Sequence, residues 1–279
     1  MLPNVSAAAS DGTAQLIEAV KQLELKSGGR LGVSVLDTTT GVSFHHKGDE
    51  RFPMCSTFKV LAAAAILKDV GGKLERLERR VRIEQADLVE NSPVTREHVG
   101  GEGMSLRELC DAAITRSDNT AGNALLKHIG GPAGLTSFAR SLGDTMTRLD
   151  RTETELNEAA PGDPRDTTTP NAMAGNFRRL LLGDVLRPEG RDQLAKWLIA
   201  NKTGDSRLRA GLPQAWRVGD KTGAGEHGTT NDVAIVWPPE RSPLIVAVYL
   251  TGASLDPTGR NDVIASVGRE VGKVGKGLG

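Results

Sequence analysis

The chain has 279 residues, with 35 basic residues against 35 acidic ones and 38% hydrophobic residues. That length supplies one large or two modest domains with a sizeable core. Balanced charge argues against a nucleic-acid partner or an anionic membrane surface, and no apolar run approaches membrane-spanning length.

Taken in order, Met1-Leu2-Pro3-Asn4 has no charged segment and no long apolar stretch, so no signal peptide is expected. Leu16, Ile17, Val20 and Leu23 recur at helical spacing, which predicts an amphipathic helix over 14–25, ended by Ser27-Gly28-Gly29. Residues 31–37 and 42–45 read as strands joined by a turn, a hairpin. Its His45-His46 pair reads as strand surface, and none of the histidines has zinc spacing, so no metal site is expected. Pro53 breaks the chain; an Ala/Leu-rich helix then starts near Ser56 and ends at Gly71-Gly72. Residues 74–103 are loop-rich, punctuated by Ser92-Pro93. Ser105-Leu106-Arg107-Glu108 has the form of a capping box and opens a helix that runs to Thr115. Ser117-Asp118-Asn119 interrupts, and helices follow over 121–129 and 132–142.

Residues 148–166 form a long loop with little periodicity, and such loops in compact domains are often functional. Thr169-Pro170 and Arg187-Pro188 place proline at two helix starts, with ends expected near Gly183 and Gly204. Beyond Trp216 the pattern changes to strands over 216–221, 232–237 and 244–250, and a last amphipathic helix covers 262–274. Strands at both ends and helices between them predict an α/β fold of the α+β type. Its core element is one five-stranded antiparallel sheet flanked by terminal helices, with an all-helical domain inserted. The sheet domain would comprise 1–47 and 205–279, and the helical domain 48–204 with the long loop. Their junction is a favoured place for a pocket.

Four short motifs carry chemistry. Ser56 and Lys59 are three apart on one helix face, in the first turn, where unpaired N–H groups and the positive end of the dipole lie. A serine hydroxyl becomes a nucleophile when a neighbouring base takes its proton, and a neutral lysine can be that base. Alone, the pair reads better as a helix cap and a solvated lysine. Ser117 and Asn119 offer a hydroxyl that can pass a proton and an amide that can bind one; alone, they read as a helix cap. Lys221-Thr222-Gly223 ends a strand, whose edge offers backbone groups to a substrate. A second copy, Lys202-Thr203-Gly204, follows a helix, where Gly204 reads as a cap, and is set aside. Glu153 and Asn157 in the long loop could hold a water, or form a polar surface.

Together and in this order the motifs resemble the class A serine β-lactamases, and the resemblance covers essentially the whole chain. It implies that Ser56 attacks a β-lactam carbonyl and that the N–H groups of Ser56 and Ala224 form the oxyanion hole. It further implies that Lys59 or Glu153 takes the Ser56 proton, that Ser117 with Lys221 serves the leaving nitrogen, and that Glu153 and Asn157 prepare the hydrolytic water. Asn119 would bind the substrate's side-chain amide, and Thr222 and Gly223 its carboxylate side. No cofactor is implied, and the expected partner is a small β-lactam, met by a monomer in the periplasm or outside the cell. The resemblance also places an Arg151–Asp166 ion pair across the neck of the loop and a cis Glu153–Thr154 peptide.

The departures are specific. Asn91 stands at the rim of the substrate site, where relatives carry an aromatic residue. Many relatives bridge a cysteine matching Cys110 to the position of Ala63, so Cys110 is expected free and buried; others bridge the Cys55 position to that of Gly225. Many supply a substrate-binding arginine from the strand that here begins Thr229-Thr230-Asn231-Asp232. The cefotaximases, with a similar stretch, supply one at the start of the final helix, which points to Arg260. Two other readings stand: a penicillin-binding peptidase or sensor that stays acylated, against which Glu153 and Asn157 argue, and a non-enzymatic binding module, against which the filled catalytic set argues.

Overall fold

The structure, a computed structural model, describes residues 5–41 and 43–277. Val42, expected in the second strand, lies outside the described residues, as does the segment 1–4.

The chain opens with α1 (Val5–Ser27), β1 (Arg30–Asp37), β2 (Ser43–His46) and the two-residue β3 (Phe52–Pro53). The helical stretch follows: α2 (Phe58–Val70), the short β4 (Arg80–Val81) and β5 (Met104–Ser105), then α3 (Leu106–Thr115), α4 (Asn119–His128) and α5 (Gly131–Ser141). After the long loop come β6 (Thr167–Thr168), α6 (Pro170–Leu181), α7 (Pro188–Ile199) and the one-turn α8 (Leu208–Gly211). The chain then returns to the sheet through β7 (Arg217–Gly225), β8 (Thr229–Trp237) and β9 (Leu244–Thr251), and closes on α9 (Pro257–Gly277).

Five of these strands form the expected antiparallel sheet, in the order β2-β1-β9-β8-β7. The pleat sends alternate residues to opposite faces. On β9, Ile245, Ala247 and Tyr249 join the core of the helical layer, with Val233 and Ile235 of β8. Val246, Val248 and Leu250 face the other way and pack with Leu16 and Val20 of α1 and Val263, Ile264 and Val267 of α9. A sheet covered on both faces reads as continuous apolar strands, and β9 is buried from Leu244 to Leu250.

On the helical side α2 is the axis. Leu61, Ala62, Ala63, Ala64 and Ile66 are wholly buried, and a helix apolar on every side belongs in a core. The capping box at Ser105 and Glu108 forms with both reciprocal hydrogen bonds, 3.2 and 2.7 Å.

Two expectations fail. The α7 helix ends at Ile199, not near Gly204, and Gly204 is no left-handed cap. It is needed for a close approach instead: a Cβ there would lie 1.9 Å from the Asp220 carboxylate. The strand read over 216–221, which Lys221-Thr222-Gly223 was expected to end, also runs further, to Gly225. Gly223 and Gly225 belong to β7, paired with Asn231 and Thr229, and the chain turns through His227 and Gly228 at positive φ.

Candidate active site

The N-terminal end of α2 is preceded by one 3-10 turn, Cys55–Thr57, so Ser56 sits just ahead of the helix rather than within its first turn. Cys55 has a φ of 46°, a left-handed conformation that costs a non-glycine residue about 1–3 kcal/mol and recurs at functional sites. Lys59 is fully buried, and its Nζ donates to Ser56 Oγ at 2.8 Å. The same ammonium reaches Ser117 O at 2.9 Å, Asn119 Oδ1 at 2.7 Å and Glu153 Oε1 at 2.9 Å. Burial lowers the Lys59 pKa, and the Glu153 charge opposes that shift.

The turn 117–119 is built around Asp118, a buried carboxylate that accepts from Val94 N, Thr95 N, Thr95 Oγ1 and Ala121 N, each at 2.9 Å. It caps α4 and fixes Ser117 at a φ of 56°, with its hydroxyl aimed at Lys221. Lys221 Nζ donates to Ser117 Oγ at 3.0 Å. Burial pushes the Lys221 pKa well below its ordinary value, and the nearby Lys59 charge adds to the shift. Gly122 lets α4 come down onto this centre, since a Cβ there would meet Lys59 Cε at 2.7 Å.

The long loop delivers the acid. Ser56 Oγ donates to Glu153 Oε1 at 3.1 Å, and Asn157 Nδ2 donates to Glu153 Oε2 at 2.5 Å. The Glu153–Thr154 peptide is cis, as the resemblance implied. Asn123 of α4 brackets Glu153, accepting from its N–H at 2.8 Å and donating to its C=O at 2.9 Å. The Arg151–Asp166 ion pair is present at 2.6 Å, and Asp166 also accepts from the N–H groups of Asp150 and Arg151. Cys110 is free and buried; Cys55 is free and lies against Gly225, where a Cβ would meet its Sγ at 2.8 Å.

A cavity of about 450 Å³ opens over these groups, within the range of small-molecule sites. Ser56, Asn91, Ser117, Asn119, Asn157, Thr222, Gly223 and Ala224 line it, while Lys59, Glu153 and Lys221 lie beneath. Of the residues expected to bind the substrate, Arg260 is not among those that line the cavity. Its Nε donates to Thr230 Oγ1 at 3.1 Å and its Nη1 to Leu255 O at 3.0 Å. Arg207 lines the cavity instead, with Nη1 on the carbonyls of Gly223 and Asn231 and Nε on Asn261. No local spacing marks Arg207, which sits in an irregular segment before the one-turn α8. Thr203, from the copy of the strand motif that was set aside, also lines the cavity.

The β-lactamase enzyme family model matches residues 15–274. The chain belongs to the class A β-lactamases. It is 53% identical over 250 residues to β-lactamase AST-1 of Nocardia asteroides, covering 90% of this chain and 80% of that one. It is 51% identical over 249 residues to β-lactamase CTX-M-8 of Citrobacter amalonaticus, covering 89% and 85%. Among solved structures, a class A β-lactamase of the last common ancestor of Gram-negative bacteria superposes with a TM-score of 0.90 at 65% identity, covering 92% of this chain and 97% of the other. The five-stranded sheet and the helical layer described above are thus those of a class A β-lactamase fold.

Proposed function

We propose that this class A β-lactamase hydrolyses the ring amide of penicillins and cephalosporins through an acyl-enzyme on Ser56, and so confers resistance to β-lactam antibiotics. The observation that carries the reading is the pair of contacts at Ser56 Oγ: it accepts from Lys59 Nζ at 2.8 Å and donates to Glu153 Oε1 at 3.1 Å. A hydroxyl flanked by a proton acceptor and a desolvated lysine has the geometry of an activated nucleophile. Both Lys59 and Glu153 stand within reach of its proton.

As Ser56 attacks, the N–H groups of Ser56 and Ala224 take the developing negative charge; Ala224 belongs to β7, the edge strand of the sheet. Lys221 donates to Ser117 Oγ, which leaves the Ser117 proton free for the departing ring nitrogen. Asn119 stands where the substrate's side-chain amide would meet it, and Asn91 forms the rim. Glu153 and Asn157 then prepare the water that frees Ser56. Asn157 Oδ1 is buried with no protein donor, which leaves it open to that water. This pair favours turnover over the permanent acylation of a peptidase or sensor.

The substrate's carboxylate is read at Thr222, beside Arg207. A guanidinium that lines the pocket suits a carboxylate through paired hydrogen bonds, and burial lowers the Arg207 pKa without taking it from the charged state. The site lies between two domains as we read the chain, 1–47 with 205–279 and 48–204. We also read it as a monomer, periplasmic or secreted, without a nucleic-acid partner. Balanced charge supports the absence of a nucleic-acid partner, and among the described residues no helix is long and apolar enough to cross a membrane.

Incubation with a chromogenic cephalosporin tests the reading. Many turnovers per protein are expected. A burst of one equivalent would instead favour the peptidase or sensor, and no reaction a binding module.

A further inference from the structure

The Lys202-Thr203-Gly204 copy has no part in the reaction above, yet Thr203 lines the cavity beside Thr222 and Arg207. The two threonine hydroxyls lie 2.5 Å apart. Behind Thr203 stands Asn201, which is 2% exposed. Asn201 Oδ1 accepts from the Thr203 N–H at 3.0 Å and from Thr203 Oγ1 at 2.8 Å. The orientation of that amide is not free. A backbone N–H can only donate, so the atom facing it is the amide oxygen. A carboxylate can only accept, so the atom 2.7 Å from Asp220 Oδ2 is the amide nitrogen. Both ends of the amide agree, and Asp220 is itself anchored by Arg209 Nε at 2.5 Å.

A hydroxyl carries one proton. While Thr203 donates to Asn201, the short Thr203–Thr222 contact uses the proton of Thr222. Thr222 then shows the cavity only lone pairs, which repel a carboxylate. For Thr222 to donate to an anion, Thr203 must turn its own proton from Asn201 to Thr222. Asn201 Oδ1 keeps the Thr203 N–H, so no buried acceptor is orphaned. Two O–H bonds rotate, and no heavy atom has to move. A hydrogen bond received by Thr222 also polarises its O–H and strengthens it as a donor.

We propose that Thr203 is a positioning residue: with its N–H held by Asn201, its hydroxyl turns to Thr222, sets the direction of the Thr222 hydroxyl and thereby the recognition of the substrate's carboxylate. This rests on the reading of Thr222 and Arg207 as the carboxylate site.

The test uses the full chain and a penicillin offered both as the free acid and as its methyl ester. Thr203→Val keeps the side-chain shape and loses the hydroxyl; Thr203→Ser keeps the hydroxyl. The acid-to-ester ratio of kcat/KM is expected to fall about 5–10-fold in Thr203→Val, the size of one net hydrogen bond, through a higher KM for the acid. Thr203→Ser should restore the ratio of the unaltered enzyme. An unchanged ratio in Thr203→Val, or an equal loss on acid and ester, overturns the proposal. Thermal melting checks folding, and if the valine variant does not fold, Thr203→Ala is read in the same way. An unaltered enzyme with no preference for the acid would remove the carboxylate reading itself, a failure visible before any substitution is made.

Discussion

Replacing Glu153 by alanine separates the two halves of the reaction. Glu153 Oε1 touches Ser56 Oγ at 3.1 Å and Lys59 Nζ at 2.9 Å, and Oε2 receives Asn157 at 2.5 Å. Among the described residues, truncation removes the only carboxylate in contact with both Ser56 and Asn157. General-base help to water is worth about 10²–10⁴-fold, or about 3–5 kcal/mol of barrier. Acylation has a second resource. Burial lowers the Lys59 pKa, and the Glu153 charge is the largest influence holding it up. Without Glu153 the Lys59 pKa falls further, and more of the lysine is neutral and able to take the Ser56 proton. The expected outcome is fast acylation followed by a stalled adduct. Intact-mass spectrometry after mixing with a penicillin should show one covalent equivalent on Ser56 that persists for many turnover times of the unaltered enzyme. Rapid return of free protein would refute Glu153 as the deacylation base. Failure to form any adduct would refute Lys59 as a sufficient base for acylation.

Arg151→Ala leaves Asp166, 1% exposed, with only the backbone donors of residues 150 and 151. The loss of a shielded partner should cost about 3 kcal/mol in urea unfolding, and a change below about 1 kcal/mol would mean the pair acts as a surface one. Asp232 should make stability depend on pH. It lies on the same face of the sheet as Asp220, one diagonal step away, and its Oδ1 has no protein donor. Burial, and then the Asp220 charge, hold its pKa well above the ordinary 3.8. The unfolded chain therefore ionises first as pH rises, the folded state keeps the proton, and stability falls from about pH 4 upward through the folded value. Asp232→Asn mimics the protonated form, so its unfolding free energy relative to the unaltered enzyme should grow as pH rises from about 4; a pH-independent difference would count against the shift. Arg207→Ala should raise KM about 10-fold or more for substrates bearing a carboxylate, whereas Arg260→Ala should stay within about threefold, and the reverse ranking would return the carboxylate to Arg260.

Much of this protein was legible as text because its signals are local. Ser56 and Lys59 meet through helical spacing, Ser105 and Glu108 through one helical turn, and 244–250 through unbroken apolar character on a strand covered on both faces. The sheet's antiparallel character followed from short connections, and the motifs' order from a resemblance over the whole chain. The Arg151–Asp166 pair was also foreseen, but only through that resemblance, since nothing in a loop without periodicity marks two charges as partners.

Only the tertiary structure shows that Arg207 lines the cavity where Arg260 does not, and that Thr203 of the second Lys-Thr-Gly copy lines it beside Thr222. Arg207 precedes α8 and Arg260 lies in the first turn of α9, and neither sequence position says which way a long side chain turns. Arg260 is drawn to Thr230 and Leu255, while the carbonyls of Gly223 and Asn231 draw Arg207 to the cavity. The copy at 202–204 reads as a helix end only if the helix reaches it. In the structure α7 stops at Ile199, Gly204 packs against Asp220, and that approach carries Thr203 to within 2.5 Å of Thr222. Periodicity reports which face of an element is buried; it carries no information about which hydrogen-bonding groups meet when irregular segments from distant parts of the chain are pressed together, because those distances are set by packing rather than by spacing.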